Sequence, residues 1–140
     1  MWIYKKQLQF PVKICNTDPR LAQVIISQFG GPDGELSAAM RYLSQRYHMP
    51  TNEAKAALTD IGTEELAHLE IVGAVVRQLT KNMTVSQVKA GGYDATFVDH
   101  TGGVYLQSAA GVPFTAASLQ VKGDPITDLH ENMAADAATA

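Results

Sequence analysis

The sequence predicts an all-α fold: a helical bundle with an antiparallel helix hairpin and the start of a third helix, a long irregular connection, and an extended N-terminal arm. Three observations carry this. From Ala54 to Leu79 the apolar residues recur at helical spacing, with Ala54, Ala57, Leu58, Ile61, Val72, Val75, Val76 and Leu79 on one stripe. Two Asp-Pro pairs, Asp18-Pro19 and Asp124-Pro125, each read as an N-cap followed by the first helical residue. The alternating residues of the N-terminal stretch include Pro11, which argues against a central strand there.

Taken in order, the chain reads as a single domain over 1–140. Residues 1–17 form an apolar arm bearing Trp2, Tyr4, Leu8, Phe10, Val12 and Ile14, which must lie along the bundle or a neighbouring subunit. The hairpin spans 18–80. Its first helix starts at Asp18 with an apolar face of Leu21, Val24, Ile25 and Phe29, and Gly30-Gly31-Pro32-Asp33-Gly34 kinks or briefly breaks it. Helical pattern resumes with Glu35, Ala38, Ala39, Tyr42, Leu43 and Arg46 on one face, where the alanines permit close approach of a facing helix. The connection His48-Met49-Pro50-Thr51-Asn52 is short enough to make the next helix antiparallel and adjacent. A short helical piece from Thr84 to Ala90 follows, and residues 91–123 form an irregular connection without sustained period. The third helix begins over 124–140, with Ile126, Leu129, Met133, Asp136, Ala137 and Ala140 sharing a face.

The candidate chemistry lies where charged residues interrupt these stripes. Glu65 and His68, three apart, project from the same buried face of the organising helix. A carboxylate buried alone costs several kcal/mol. A metal ion suits a Glu and a His equally, and inward-facing Glu-x-x-His is a ligand pair of helical-bundle dimetal sites. The same spacing also arises by chance on surface helices. Glu64 lies about 100° round the helix and reads as solvated, as does Glu70. Glu35 heads its own stripe, either as a third donor meeting the Glu65/His68 pair or as a capping acid after the glycine break, favoured by the helix dipole. Tyr42, two turns on, is placed to aim its hydroxyl at Glu35. Asp136 interrupts the third helix's stripe in the same way. His48 reads as a solvated residue of the connection, and His100 as a turn residue making local hydrogen bonds.

Composition narrows the function classes. The 140 residues are 46% hydrophobic and 18% charged, and the low charge suggests surface covered by other subunits. A net charge of −3 offers no electrostatic case for nucleic acid or an acidic membrane. No apolar run is long enough to span a bilayer, and the N-terminus lacks the order of a signal peptide. One cysteine, Cys15, rules out an internal disulfide and fits a reducing, cytoplasmic compartment; it reads as a small buried apolar residue.

Glu35 with its glycine-rich prelude, Tyr42-Leu43-Ser44-Gln45 and Asp60-Ile61-Gly62-Thr63-Glu64-Glu65-Leu66-Ala67-His68 together resemble a manganese catalase. Phe97-Val98-Asp99-His100 and Val121-Lys122-Gly123-Asp124 are most similar to the short, spore-coat branch of that family, and the resemblance covers essentially the whole chain. It implies a ferritin-like four-helix bundle holding two manganese ions, with hydrogen peroxide as substrate, disproportionated to water and oxygen. It further implies Glu35 as a terminal ligand, Glu65 as the bridge, His68 as a ligand of the first ion, and Tyr42 as a hydrogen-bond donor to Glu35. Family members complete the site with a third-helix glutamate, where Asp136 stands here, and a fourth-helix histidine that these residues do not include. The chain therefore reads as an N-terminal portion of such a protein. The donors accept manganese or iron alike. The resemblance also implies a homo-oligomer, hexameric or dimer-based, and incorporation into the spore coat among its proteins. Two other functions compete: a non-catalytic structural or coat subunit, and a ferritin-like metal-binding protein whose site is shared between subunits.

Overall fold

The computed structural model describes residues 3, 5, 7–93, 104 and 107–139. Five α-helices order the described residues: α1 (Pro19–Gly30), α2 (Glu35–Gln45), α3 (Asn52–Leu79), α4 (Val85–Ala90) and α5 (Pro125–Thr139). Two short 3-10 turns, Arg46–His48 and Ala116–Ser118, complete the regular structure. Among the described residues there is no strand, only an isolated bridge between Gln107 and Pro113. Among the described residues no helix is long and apolar enough to cross a membrane.

The expected start signals act as anticipated. The Asp18 carboxylate accepts the backbone N–H groups of Arg20 and Leu21, both at 3.0 Å, with Pro19 at the first helical position. Thr51 caps α3 by accepting from Ala54, and Asp124 accepts from Thr127 at 2.8 Å. The glycine-rich segment separates α1 from α2 rather than kinking one helix. The break is tight: a Cβ on Gly34 would stand 2.6 Å from the Ser27 carbonyl oxygen. The Ser37 hydroxyl donates to the Gly31 carbonyl at 2.7 Å and holds α2 against that turn.

α1 and α2 both pack on α3, and α5 packs on α2. Two apolar clusters result among the described residues. One joins Ala22 and Ile26 of α1 to Val76 and Leu79 of α3, with Val88, Tyr93 and Val104. The other joins Tyr42, Met49 and Leu58. Between them along α3 lie Glu65 and His68, so the polar residues separate two cores. α2 and α3 approach closely at Gly62, where a Cβ would meet Leu43 Cγ at 2.9 Å and Tyr42 Cβ at 3.1 Å.

Several faces differ from expectation. On α3 the buried line runs through Leu58, Gly62, Val76 and Leu79, whereas Ala57 and Ile61 are exposed. The helix turns Gly62 toward α2 because only a residue without a side chain fits that approach. On α1, Ala22 and Ile26 are buried while Leu21 and Val24 are exposed. That helix carries apolar residues on two adjacent faces and buries one against α3. Cys15 is exposed rather than buried. The extended arm alternates, and Ile14 takes the inward place beside it. The arm lies along α3, clamped by the Gln78 amide, which accepts from Ile14 N–H at 2.7 Å and donates to the Val12 carbonyl at 2.9 Å.

The largest correction concerns α5. Ile126, Leu129 and Met133 were expected to face inward but are 71%, 41% and 69% exposed, while Asp128, Asn132 and Ala135 are buried. The reason is the face they meet. α2 presents buried Arg41, Gln45 and the Tyr42 hydroxyl, groups that need polar partners. Asp128 also accepts the N–H groups of Lys122 and Gly123 at 2.7 and 3.1 Å, closing the turn into the helix. Of the irregular connection, the described residues are coil and turn: Ala109 N–H donates to the Ser27 hydroxyl at 2.7 Å, and Phe114 packs on Phe29 at 6.3 Å between ring centres. His100 and the Phe97–His100 motif lie outside the described residues.

Candidate functional site

Glu35 stands in the first turn of α2, delivered there by the Gly34 turn, and Glu65 and His68 stand one turn apart on α3. The hairpin brings them together: each offers a donor atom, and the three atoms lie within 4.8 Å of one another. His68 Nδ1 is 3.0 Å from Glu65 Oε2 and 3.7 Å from Glu35 Oε2. Their side chains are shielded in the order Glu65, Glu35, His68, at 12%, 23% and 37% exposed. Glu64, at 55%, is the solvated neighbour, although its carboxylate lies 3.9 Å from His68 Nε2.

The electrostatics mark Glu35. Its carboxyl is pushed up from 4.5 to about 7, first by burial, then by the hydrogen bond and negative charge of Glu65, with His68 opposing and Asp136 adding. Two carboxylates this close share a proton when nothing else neutralises them. A divalent cation is the natural replacement for that proton, and two oxygen donors with one imidazole form a suitable set for manganese or iron. The residues present therefore fit the metal their pattern suggests.

Tyr42 was expected to donate to Glu35. It donates instead to Asp136 Oδ1 at 2.5 Å. Glu35 is already engaged with Glu65, and the Asp136 carboxylate on α5 offers a charge-assisted bond of the short kind. Burial and this bond raise the Tyr42 phenol well above its usual range. Asp136 thus stands beside Tyr42 and is not among the three convergent donors. His48 is exposed on the connection.

Residues that periodicity did not single out complete the surroundings. Arg41 is buried, donating to the carbonyls of Pro32 at 3.3 Å and Glu131 at 3.4 Å, with Asp33 at 3.6 Å. Gln45 and Asn132 exchange two amide hydrogen bonds, at 3.1 and 2.6 Å. A polar residue on a helix gives no sequence signal of burial until its partner on another helix is known. A cavity of about 630 Å³ between the arm and α3 is lined by residues including Leu8, Thr63, Leu66 and Glu70, but by none of the three donors.

The profile of the manganese containing catalase family matches residues 1–140. Protein CotJC of Bacillus subtilis (strain 168) is 51% identical over 136 residues, covering 97% of this chain and 71% of that protein. A probable manganese catalase of Clostridium acetobutylicum is 36% identical over 138 residues, covering 97% of this chain and 61% of that one. Among solved structures, wild-type KatB, a manganese catalase from Anabaena, superposes with a TM-score of 0.83 at 38% identity, covering 99% of this chain and 62% of that chain. The chain therefore spans less than two thirds of the length of these two catalases.

Proposed function

This chain belongs to the manganese-containing catalase family, and from that premise we propose that Glu35, Glu65 and His68 hold part of a dimanganese centre that disproportionates hydrogen peroxide to water and oxygen. The observation that carries the proposal is the convergence of the three donor atoms within 4.8 Å on a hairpin of this family's fold.

What a bound manganese pair supplies is a two-electron couple matched to peroxide. The protein's part is positional. Glu65, the most shielded of the three, and Glu35, reaching in from the opposing helix, would supply the carboxylate oxygens that hold the ions. His68 turns Nδ1 toward both carboxylates. Tyr42 steadies Asp136, which the proposal reads as a contributor from α5 at the edge of the centre.

The test is manganese content per chain together with oxygen evolution from peroxide, for the parent chain and for Glu65→Ala and Glu64→Ala. Glu65→Ala should lose far more metal, because Glu64 is solvated. Equal losses would sink the proposal. A second reading, a structural coat-type subunit, is favoured by the exposed apolar residues Ile126 and Met133 on α5; a chain that holds no manganese yet assembles would support it.

A further inference from the structure

We propose that Gln45 and Asn132 are positioning residues that set the register of α5 on α2, and so hold the Asp136 carboxylate against Tyr42 at the edge of the Glu35–Glu65–His68 cluster. The starting point is what does not fix that register. The apolar residues of α5 at 126, 129 and 133 are exposed, and the apolar residue it does bury, Ala135, is too small for interlocking side chains to determine where along α2 this helix sits. What joins the two helices is polar: Arg41 Nη1 to the Glu131 carbonyl at 3.4 Å, Tyr42 to Asp136 at 2.5 Å, and the Gln45–Asn132 amide pair.

Of these, the amide pair is the most demanding. Gln45 is 0% and Asn132 5% exposed, so each amide must find its partners within the protein. Each group donates one bond and accepts one, at 3.1 and 2.6 Å, which requires the two amides to meet head to head. Tyr42 and Gln45 are three apart on α2, while Asn132 and Asp136 are four apart on α5, so the two pairs form successive rungs between antiparallel helices. A slide of α5 by one turn, about 5.4 Å, would break both rungs and leave buried amide groups unpaired. The register that satisfies the amides is thus the one that brings Asp136 to Tyr42. Arg41 is a weaker guide, since its contacts are long and its Nε finds no partner.

The consequence for a metal rests on the dimanganese reading, but the positioning itself is measurable without metal. In the metal-free chain, the hydroxyl proton of Tyr42 should give an exchange-protected, downfield proton resonance, identified by its absence in Tyr42→Phe. Asn132→Leu should remove that resonance with helix content unchanged. The exchanged double variant Gln45→Asn/Asn132→Gln, which keeps the pair and its combined length, should restore it. Persistence of the resonance in Asn132→Leu, or its absence from a folded double variant, would overturn the proposal. If Asn132→Leu does not fold, the parent chain decides: side-chain amide protons of Gln45 and Asn132 exchanging at least tenfold slower than free amides support the pairing, and free-amide rates overturn it. By equilibrium dialysis, Asn132→Leu should weaken manganese binding roughly tenfold to a hundredfold, as loss of an outer support does. An unchanged affinity alongside a lost resonance would overturn the link to the centre. A parent chain that binds no manganese would refute the dimanganese reading, while the resonance would still judge the register.

Discussion

Glu35 concentrates the residue-scale physics. Its carboxyl stands at about 7 in the folded, metal-free chain against 4.5 when unperturbed. Between those values the folded state holds a proton that the unfolded chain has released. The stability this contributes is fully present below pH 4.5 and is lost as pH rises through about 7. Thermal melts of metal-free protein should therefore show a falling midpoint across that window, and Glu35→Gln should flatten the fall. Saturating manganese should abolish it, because the cation takes the proton's place. A midpoint independent of pH would mean that the Glu35 carboxyl is not raised in the folded chain. The two histidines offer a sharper contrast. His68→Ala should weaken manganese binding by roughly a hundredfold or more, as loss of a direct ligand exceeds the usual effect of losing an outer one. His48→Ala, on an exposed turn, should leave it unchanged in the same dialysis measurement.

At the scale of elements, the α2–α3 hairpin sets the distance between Glu35 and Glu65, and Gly62 sets the hairpin. Alanine is favoured over glycine within a helix by about 1 kcal/mol, so by propensity alone Gly62→Ala stabilises α3. Here the added methyl would stand 2.9 Å from Leu43 Cγ and 3.1 Å from Tyr42 Cβ, neither the free end of a flexible chain. Overpacking of that kind costs about 1–3 kcal/mol, so the net effect should be destabilising. Denaturant unfolding should show it, and manganese binding should weaken as the helices part. The arm provides a second element-scale test. Gln78→Ala removes both hydrogen bonds that hold Val12 and Ile14 to α3, at a cost of about 1–3 kcal/mol. It should also speed backbone amide exchange at Ile14. The helices and their caps were legible from sequence because Asp-Pro starts, glycine breaks and apolar periods act locally. Which face of α1 or α5 would be buried was not, because each helix offers more than one candidate face and the neighbour chooses.

At the scale of the whole molecule, the exposed Ile126, Leu129 and Met133 of α5, with Phe10 on the arm, leave apolar surface on several sides. The chain should accordingly self-associate, and light scattering at micromolar concentration should report a species larger than 15.1 kDa. Met133→Glu should shift that species toward the monomer, and a stable monomer of the parent chain would count against covered faces. The sequence by itself determined the all-α character, the hairpin and the placing of Glu65 and His68 on its inner side, since a carboxylate and an imidazole interrupting an apolar stripe are visible in one strand of text. Only the tertiary structure decided that Tyr42 serves Asp136 and not Glu35, that Gln45 meets Asn132, and that the polar side of α5 turns inward. Those outcomes depend on pairs 87 and 94 residues apart, and a buried polar group takes whichever partner the packing brings within hydrogen-bonding distance, a choice that no local pattern encodes.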